Sequence, residues 1–112
     1  MGYDKQLANA VRQELEKQLG PALFEDEVVE KKMFGGLAFM VRGSLCLTVS
    51  GRKGVCLMVR VGDTCDDLER RAGASTTIMR GKSRKGYVDL DERGLEELGY
   101  WIDKALKFNC TL

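Results

Sequence analysis

Apolar residues along this chain recur first at helical spacing and then at every second position. From the N-terminus they fall at Tyr3, Leu7, Ala10, Val11, Leu15 and Leu19, with Lys5, Arg12, Glu14, Glu16 and Lys17 mostly on the other side. Steps of three and four residues make one stripe on a helix. Gly20-Pro21 ends it, because proline cannot continue a helix from within. Ala22 to Glu30 is an acidic connector whose one apolar pair, Val28-Val29, is a candidate strand start.

The period then changes to two. Ala38 and Met40 alternate with Leu37, Phe39 and Val41, and Arg42-Gly43 makes a tight turn. In the next run Leu45, Leu47 and Val49 point one way and Ser44, Cys46 and Thr48 the other. After a second turn, Ser50 to Gly54, the residues Val55, Leu57, Val59 and Val61 continue the apolar side, with Cys56, Met58 and Arg60 opposite. Alternation broken by short glycine-bearing links predicts three antiparallel strands joined by hairpins. Asp63 or Thr64 is placed to cap a short helix with Asp66, Asp67 and Glu69 in its first turns, and Gly73 is a natural stop. Ser75 to Arg80 reads as a strand, Gly81 to Gly86 as a basic loop and Tyr87 to Leu90 as another strand. Asp91 caps a last helix whose stripe is Leu95, Leu98, Trp101, Ile102, Ala105 and Leu106. Gly94 and Gly99 each lower its propensity by roughly 1 kcal/mol, so packing has to hold it.

The predicted order is α-β-β-β-α-β-β-α. It makes one α+β domain over residues 1–112, a two-layer sandwich of an antiparallel sheet with helices on one face. Taken at face value, the hairpins turn Ala38, Met40, Leu45, Leu47, Val49, Val55, Leu57 and Val59 toward the helices. The other face collects Leu37, Phe39, Val41, Cys46, Cys56 and Met58, which is rather apolar for a solvated face. Either the twisted sheet and the connector cover it, or it is a contact surface, most simply for a second copy of the chain. Leu37, Phe39, Val41, Cys46 and Met58 are the candidate interface on the second reading.

Composition narrows the function classes. Eighteen basic residues against 17 acidic ones leave a net charge of +1. A dedicated DNA-binding domain shows a clear basic excess, so any nucleic-acid role rests on a local patch. No segment reaches the ~20 apolar residues of a membrane span. The N-terminus has no apolar signal core, and a cytoplasmic location is expected. The cysteines, Cys46, Cys56, Cys65 and Cys110, lack close CxxC spacing, and histidine is absent. That argues against zinc and favours free thiols packed as small apolar groups.

The run Lys31-Lys32-Met33-Phe34-Gly35-Gly36-Leu37-Ala38-Phe39-Met40-Val41 resembles the signature of the TfoX N-terminal domain family. The resemblance continues through Leu57 to Gly62 and through Gly81 to Asp91, and it ends in the helix with Trp101 and Ala105-Leu106. It spans essentially the whole chain, with Met33, Phe34, Gly35 and Gly36 as the signature residues. It implies a fold like the secretion-chaperone α/β sandwich. It also implies a stand-alone regulatory or interaction module of bacterial type, acting through unidentified protein partners, with no catalytic residues to carry over.

Candidate chemistry is thin. Without histidine, no Ser-His or Cys-His nucleophile system can be built. Asp63, Asp66 and Asp67 lack the regular spacing of a calcium loop, so capping accounts for them. Gly81-Lys82-Ser83 imitates the tail of a P-loop, but Thr76 stands where the leading glycine belongs and a strand follows instead of a helix. No enzyme, cofactor or metal is expected. Gly35-Gly36 is either a sharp turn into the sheet or one wall of a pocket floored by Phe34 and Phe39. The alternative to a protein partner is nucleic acid. Arg80, Lys82, Arg84 and Lys85 lie close together and Arg52-Lys53 occupies a second turn, with Tyr87 near for stacking. Finally, the hairpin register puts Cys46 and Cys56 on one face of neighbouring strands, a redox pair if their Cα atoms lie within ~7 Å.

Overall fold

The computed structural model describes residues 3–33, 35–52, 54–62, 71–79 and 81–112, with backbone alone at 76, 79 and 83–85. The helix expected from Asp63 or Thr64 lies outside these residues, apart from its stop.

Helix α1 (Lys5–Leu19) begins where Asp4 accepts the backbone N–H groups of Gln6 and Leu7, at 2.9 and 3.2 Å. These are donors that no helical carbonyl can reach. Gly20 turns the chain, and Pro21 opens a short second helix, α2 (Pro21–Glu27), at a position where its missing N–H costs nothing. The connector does not stay irregular. Its last three residues begin a full strand, β1 (Val28–Met33), which the sequence announces only by Val28-Val29. Then come β2 (Gly36–Val41), β3 (Ser44–Val49), β4 (Leu57–Arg60), β5 (Ala74–Met79) and β6 (Lys82–Leu90). A 3-10 turn (Gly94–Glu97) leads into α3 (Leu98–Asn109). The strands form one sheet in the order β1-β2-β3-β4-β6-β5, with every adjacent pair antiparallel.

Two expected boundaries move. The basic stretch after Gly81 is not a loop: β6 starts at Lys82 and pairs with Met79 across the turn. Asp91 does act as a cap, accepting the N–H groups of Arg93 and Gly94, but it caps the 3-10 turn and not α3 itself.

The facing of β2 is the main correction. At the Arg42-Gly43 turn both residues have positive φ, 53° and 79°, as a type I′ hairpin requires. Next to the turn the register is the one expected, Met40 opposite Leu45. One step on, the pairing slips at a bulge, so that Phe39 meets Leu47 and Cys46 is the extra residue. A one-residue slip inverts every side chain beyond it. Leu37 and Phe39 therefore share a face with Val49 and Leu47, and Ala38 takes the opposite one.

The core follows from this register. Leu37, Phe39, Val41, Cys46, Leu47, Val49, Leu57, Val59, Val88 and Leu90 from the sheet pack with Ala8, Val11 and Leu15 of α1 and Trp101, Ile102 and Ala105 of α3. Thus Leu37, Phe39, Val41 and Cys46 are not a free interface; they are the floor of the core, at 4% exposure or less. Met58 does lie on the opposite face, but it is buried too, as are Ala38, Thr48 and Asp89 beside it in the ladder. Among the described residues, no contact surface is left where the sequence put one.

Candidate functional site

The sheet has β1 at one edge and β5 at the other. Strand β1 pairs with β2 without interruption from Val28–Val41 to Met33–Gly36, and among the described residues no strand lies on its other side. The Arg42 N–H donates to the Glu27 carbonyl at 3.0 Å, which fixes the phase of the ladder. Antiparallel pairs alternate between hydrogen-bonded and non-bonded. Val29, Lys31 and Met33 therefore direct N–H and C=O toward β2, and Val28, Glu30 and Lys32 direct theirs outward. Side chains follow the same parity. Glu30 faces the helices, where Arg12 of α1 holds it through two nitrogens at 2.5 and 2.7 Å. That hydrogen bond is the main reason the Arg12 guanidinium keeps its proton even more firmly than usual. Val29 faces the other way and is 52% exposed.

The opposite edge is blunted. In β5 the register shifts between Thr76 and Ile78. Thr77 is buried there, donating its hydroxyl to Asp89 Oδ1 at 2.8 Å. Arg52 reaches the same carboxylate oxygen at 3.0 Å and the Ile78 carbonyl at 3.3 Å. A bulge with a side chain turned inward is a common way to spoil an edge for further pairing.

The structure describes part of the expected phosphate patch. Arg52 is committed to Asp89, and Lys82 stands exposed at the start of β6. Lys53 and Arg80, and the side chains of Arg84 and Lys85, lie outside the described residues. A different cationic cluster was missed. Arg60 lies over both Tyr87 and Phe108, 5.7 and 5.5 Å from the ring centres. Nearby Arg42 donates to Asn109 Oδ1 at 3.2 Å and approaches Cys110 Sγ at 3.7 Å. Neither arginine is in a salt bridge among the described residues. The cluster depends on β4 pairing with β6, Arg60 opposite Tyr87, a long-range match that spacing does not reveal.

The signature glycines serve the backbone. Gly35 has φ +74°, and a Cβ on Gly36 would stand 2.1 Å from the Val49 carbonyl oxygen. Phe39 is wholly buried in the core and floors no pocket; Phe34 lies outside the described residues. The redox pair is also overturned. Cys56 lies opposite Ser50, whose N–H donates to the Cys56 carbonyl at 3.0 Å. Four residues of strand, about 13 Å, separate that position from Cys46, well beyond the reach of a disulfide. Burial pushes the Cys46 thiol up to about 12. Cys56 is raised as well, by burial first and then by Glu92 and Asp91.

Cys56 lines a cleft of about 570 Å³ with Leu7, Val55 and Leu95 under a rim of Asp4, Asp91 and Glu92. Two of those carboxylates are already used as caps. Among the described residues, no group of three or more His, Cys, Asp or Glu is placed to hold a metal ion, and no helix is long and apolar enough to cross a membrane.

The family model of the TfoX N-terminal domain matches residues 17–109. Searches of curated proteins and of solved structures returned no match.

Proposed function

The chain belongs to the TfoX N-terminal domain family, and on that premise we propose that it is a non-enzymatic regulatory module that holds a protein partner along the open edge of its sheet. The observation that carries this reading is β1 itself. It offers a regular six-residue edge with the main-chain groups of Val28, Glu30 and Lys32 turned outward. An extended segment laid beside it gains main-chain hydrogen bonds for affinity, and alternate side chains supply selectivity. Val29 gives that edge an apolar contact, and Glu30 with Lys32 gives it a charge pattern. The other edge lacks this regularity because of its bulge.

The test is affinity purification of the tagged chain from its own cell, set against a Lys32→Pro variant. Proline at that position removes an outward N–H and leaves the β1–β2 ladder intact. Protein partners are expected with the natural chain and absent with the variant. Equal recovery by both would end the edge-strand reading.

A second reading, nucleic-acid binding, is favoured by one observation: Arg60 is stacked beside Tyr87 and Phe108 without an acidic partner among the described residues. Guanidinium and ring faces together suit unstacked bases and phosphates. It predicts salt-sensitive RNA or single-stranded DNA binding that falls in Arg60→Ala and in a Lys82, Arg84, Lys85 triple alanine variant. Binding that is indifferent to salt and to both variants would rule it out.

A further inference from the structure

Two copies of this chain fit each other along β1, and the ladder phase fixes how. A two-fold axis normal to the sheet makes adjacent β1 strands antiparallel and keeps both helix layers on the same side. Opposed residues must then share a face, so each even-numbered residue meets an even-numbered one and each odd an odd. This leaves few registers. Centred on Glu30, the pairing sets carboxylate against carboxylate and Val29 against Lys31. Centred on Val29, it uses only half of the strand. Centred on Lys31, it pairs Val29 through Met33, sets Glu30 opposite Lys32 twice on the helix face, and sets Val29 opposite Met33 twice on the other.

We propose that the chain forms a symmetric dimer through β1 in this last register, joining two six-stranded sheets into one continuous sheet. This names the partner in the edge-strand reading and rests on it. The main-chain parity is compatible with this register, as it is with the one centred on Glu30, so the side chains make the choice. Glu30 and Lys32, which face each other, are the residues whose N–H and C=O point outward, so they can exchange a closed pair of hydrogen bonds. Cross-strand ion pairs and apolar pairs are the units that stabilise and select a sheet register. Charged residues on an edge also prevent indiscriminate pairing, and these do so for every strand except a complementary one. One feature opposes the dimer: the two Lys31 ammonium groups lie side by side at the axis. That repulsion gives the register a signature.

Sedimentation equilibrium of the full chain over a wide concentration range tests the proposal. A reversible monomer–dimer equilibrium is expected for the natural chain. Lys31→Gln, which removes the repulsion, should tighten it about five-fold, and Lys32→Glu, which faces Glu30 with a second carboxylate, should weaken it by about ten-fold or more. The swapped pair Glu30→Lys with Lys32→Glu, made together with Arg12→Glu so that α1 still presents an opposite charge to position 30, should dimerise with itself and fail to mix with the natural chain. In a background with Cys56, Cys65 and Cys110 replaced by serine, Lys31→Cys should cross-link to its twin on oxidation, and Lys32→Cys should not. Circular dichroism and urea midpoints confirm that each variant is folded.

A natural chain that stays monomeric at every concentration overturns the dimer. So does a dimer that responds to none of these substitutions. If the chain is monomeric yet loses a protein partner in Lys32→Pro, the edge binds another chain and only the dimer is wrong. If Lys32→Pro changes neither, the edge-strand reading falls with it.

Discussion

Gly36 is one of two adjacent glycines with different physical tasks. At Gly35 the difficulty is conformational, φ +74°; at Gly36 it is space, since a Cβ would press on the Val49 carbonyl. Alanine at Gly35 should cost about 1 kcal/mol, the usual penalty of left-handed backbone. Alanine at Gly36 should cost roughly 3 kcal/mol, because two strands have to separate to admit it. Urea midpoints at constant slope measure both. Cys46 gives a pH prediction at the same scale. Its folded pKa is raised from 9.0 to about 12 by burial. Above the unfolded value the unfolded chain releases a proton that the folded one keeps. Stability supplied by this thiol is therefore complete below pH 9 and declines as the pH rises toward 12, by up to about 1.4 kcal/mol per pH unit. Cys46→Ala should flatten that slope relative to the natural chain over the same window. Identical slopes would mean that the thiol contributes nothing to it.

Strand β1 is the element whose character depends most on its neighbours. Read alone, Val-Val-Glu-Lys-Lys-Met is half apolar and half charged, which suits a loop as well as a strand. Pairing with β2 makes it a strand. With no further strand beyond it among the described residues, every second residue keeps its main-chain groups outward. The two lysines should therefore respond in opposite ways to proline. Lys32→Pro removes an outward N–H and should change stability by less than about 1 kcal/mol. Lys31→Pro removes an N–H that β2 receives, and should cost about 3 kcal/mol or more. Comparable losses at both positions would show that the ladder phase is wrong. Asn109 plays a similar linking part at the end of α3. It donates to the Val41 carbonyl at 3.0 Å and accepts from Arg42, so it ties the helix to the β2–β3 hairpin.

At the scale of the molecule, α1, α3 and the sheet share one core, and the only tryptophan sits in it. Trp101 is wholly buried on α3, in edge-on contact with Tyr100 at 5.6 Å between ring centres. Its fluorescence reports the packing of α3 on the sheet, and far-ultraviolet circular dichroism reports the secondary structure as a whole. Because Trp101, Leu15 and Phe39 belong to the same cluster, neither layer can leave without exposing the other. The two signals should follow a single urea transition with one midpoint. Separate midpoints would show that α3 detaches before the sheet unfolds.

The sequence by itself determined the class of this protein. A 3.6-residue stripe, a run of period two with glycine turns and a final stripe with Trp101 are local signals, and they yielded the α+β class and its antiparallel hairpins. The signature around Gly35-Gly36 likewise pointed to the family. Tertiary structure decided which surface is free. A bulge at Cys46 adds one residue to a strand, and alternation then places Leu37 and Phe39 in the core when the hairpin turn alone would place them outside. It also decided where the candidate site lies. Being an edge is a property of strand order, not of Val28 to Met33, and the outward parity of Glu30 and Lys32 comes from which of their neighbours bond to β2. Both depend on pairings between residues far apart in the chain, and local pattern carries no record of them.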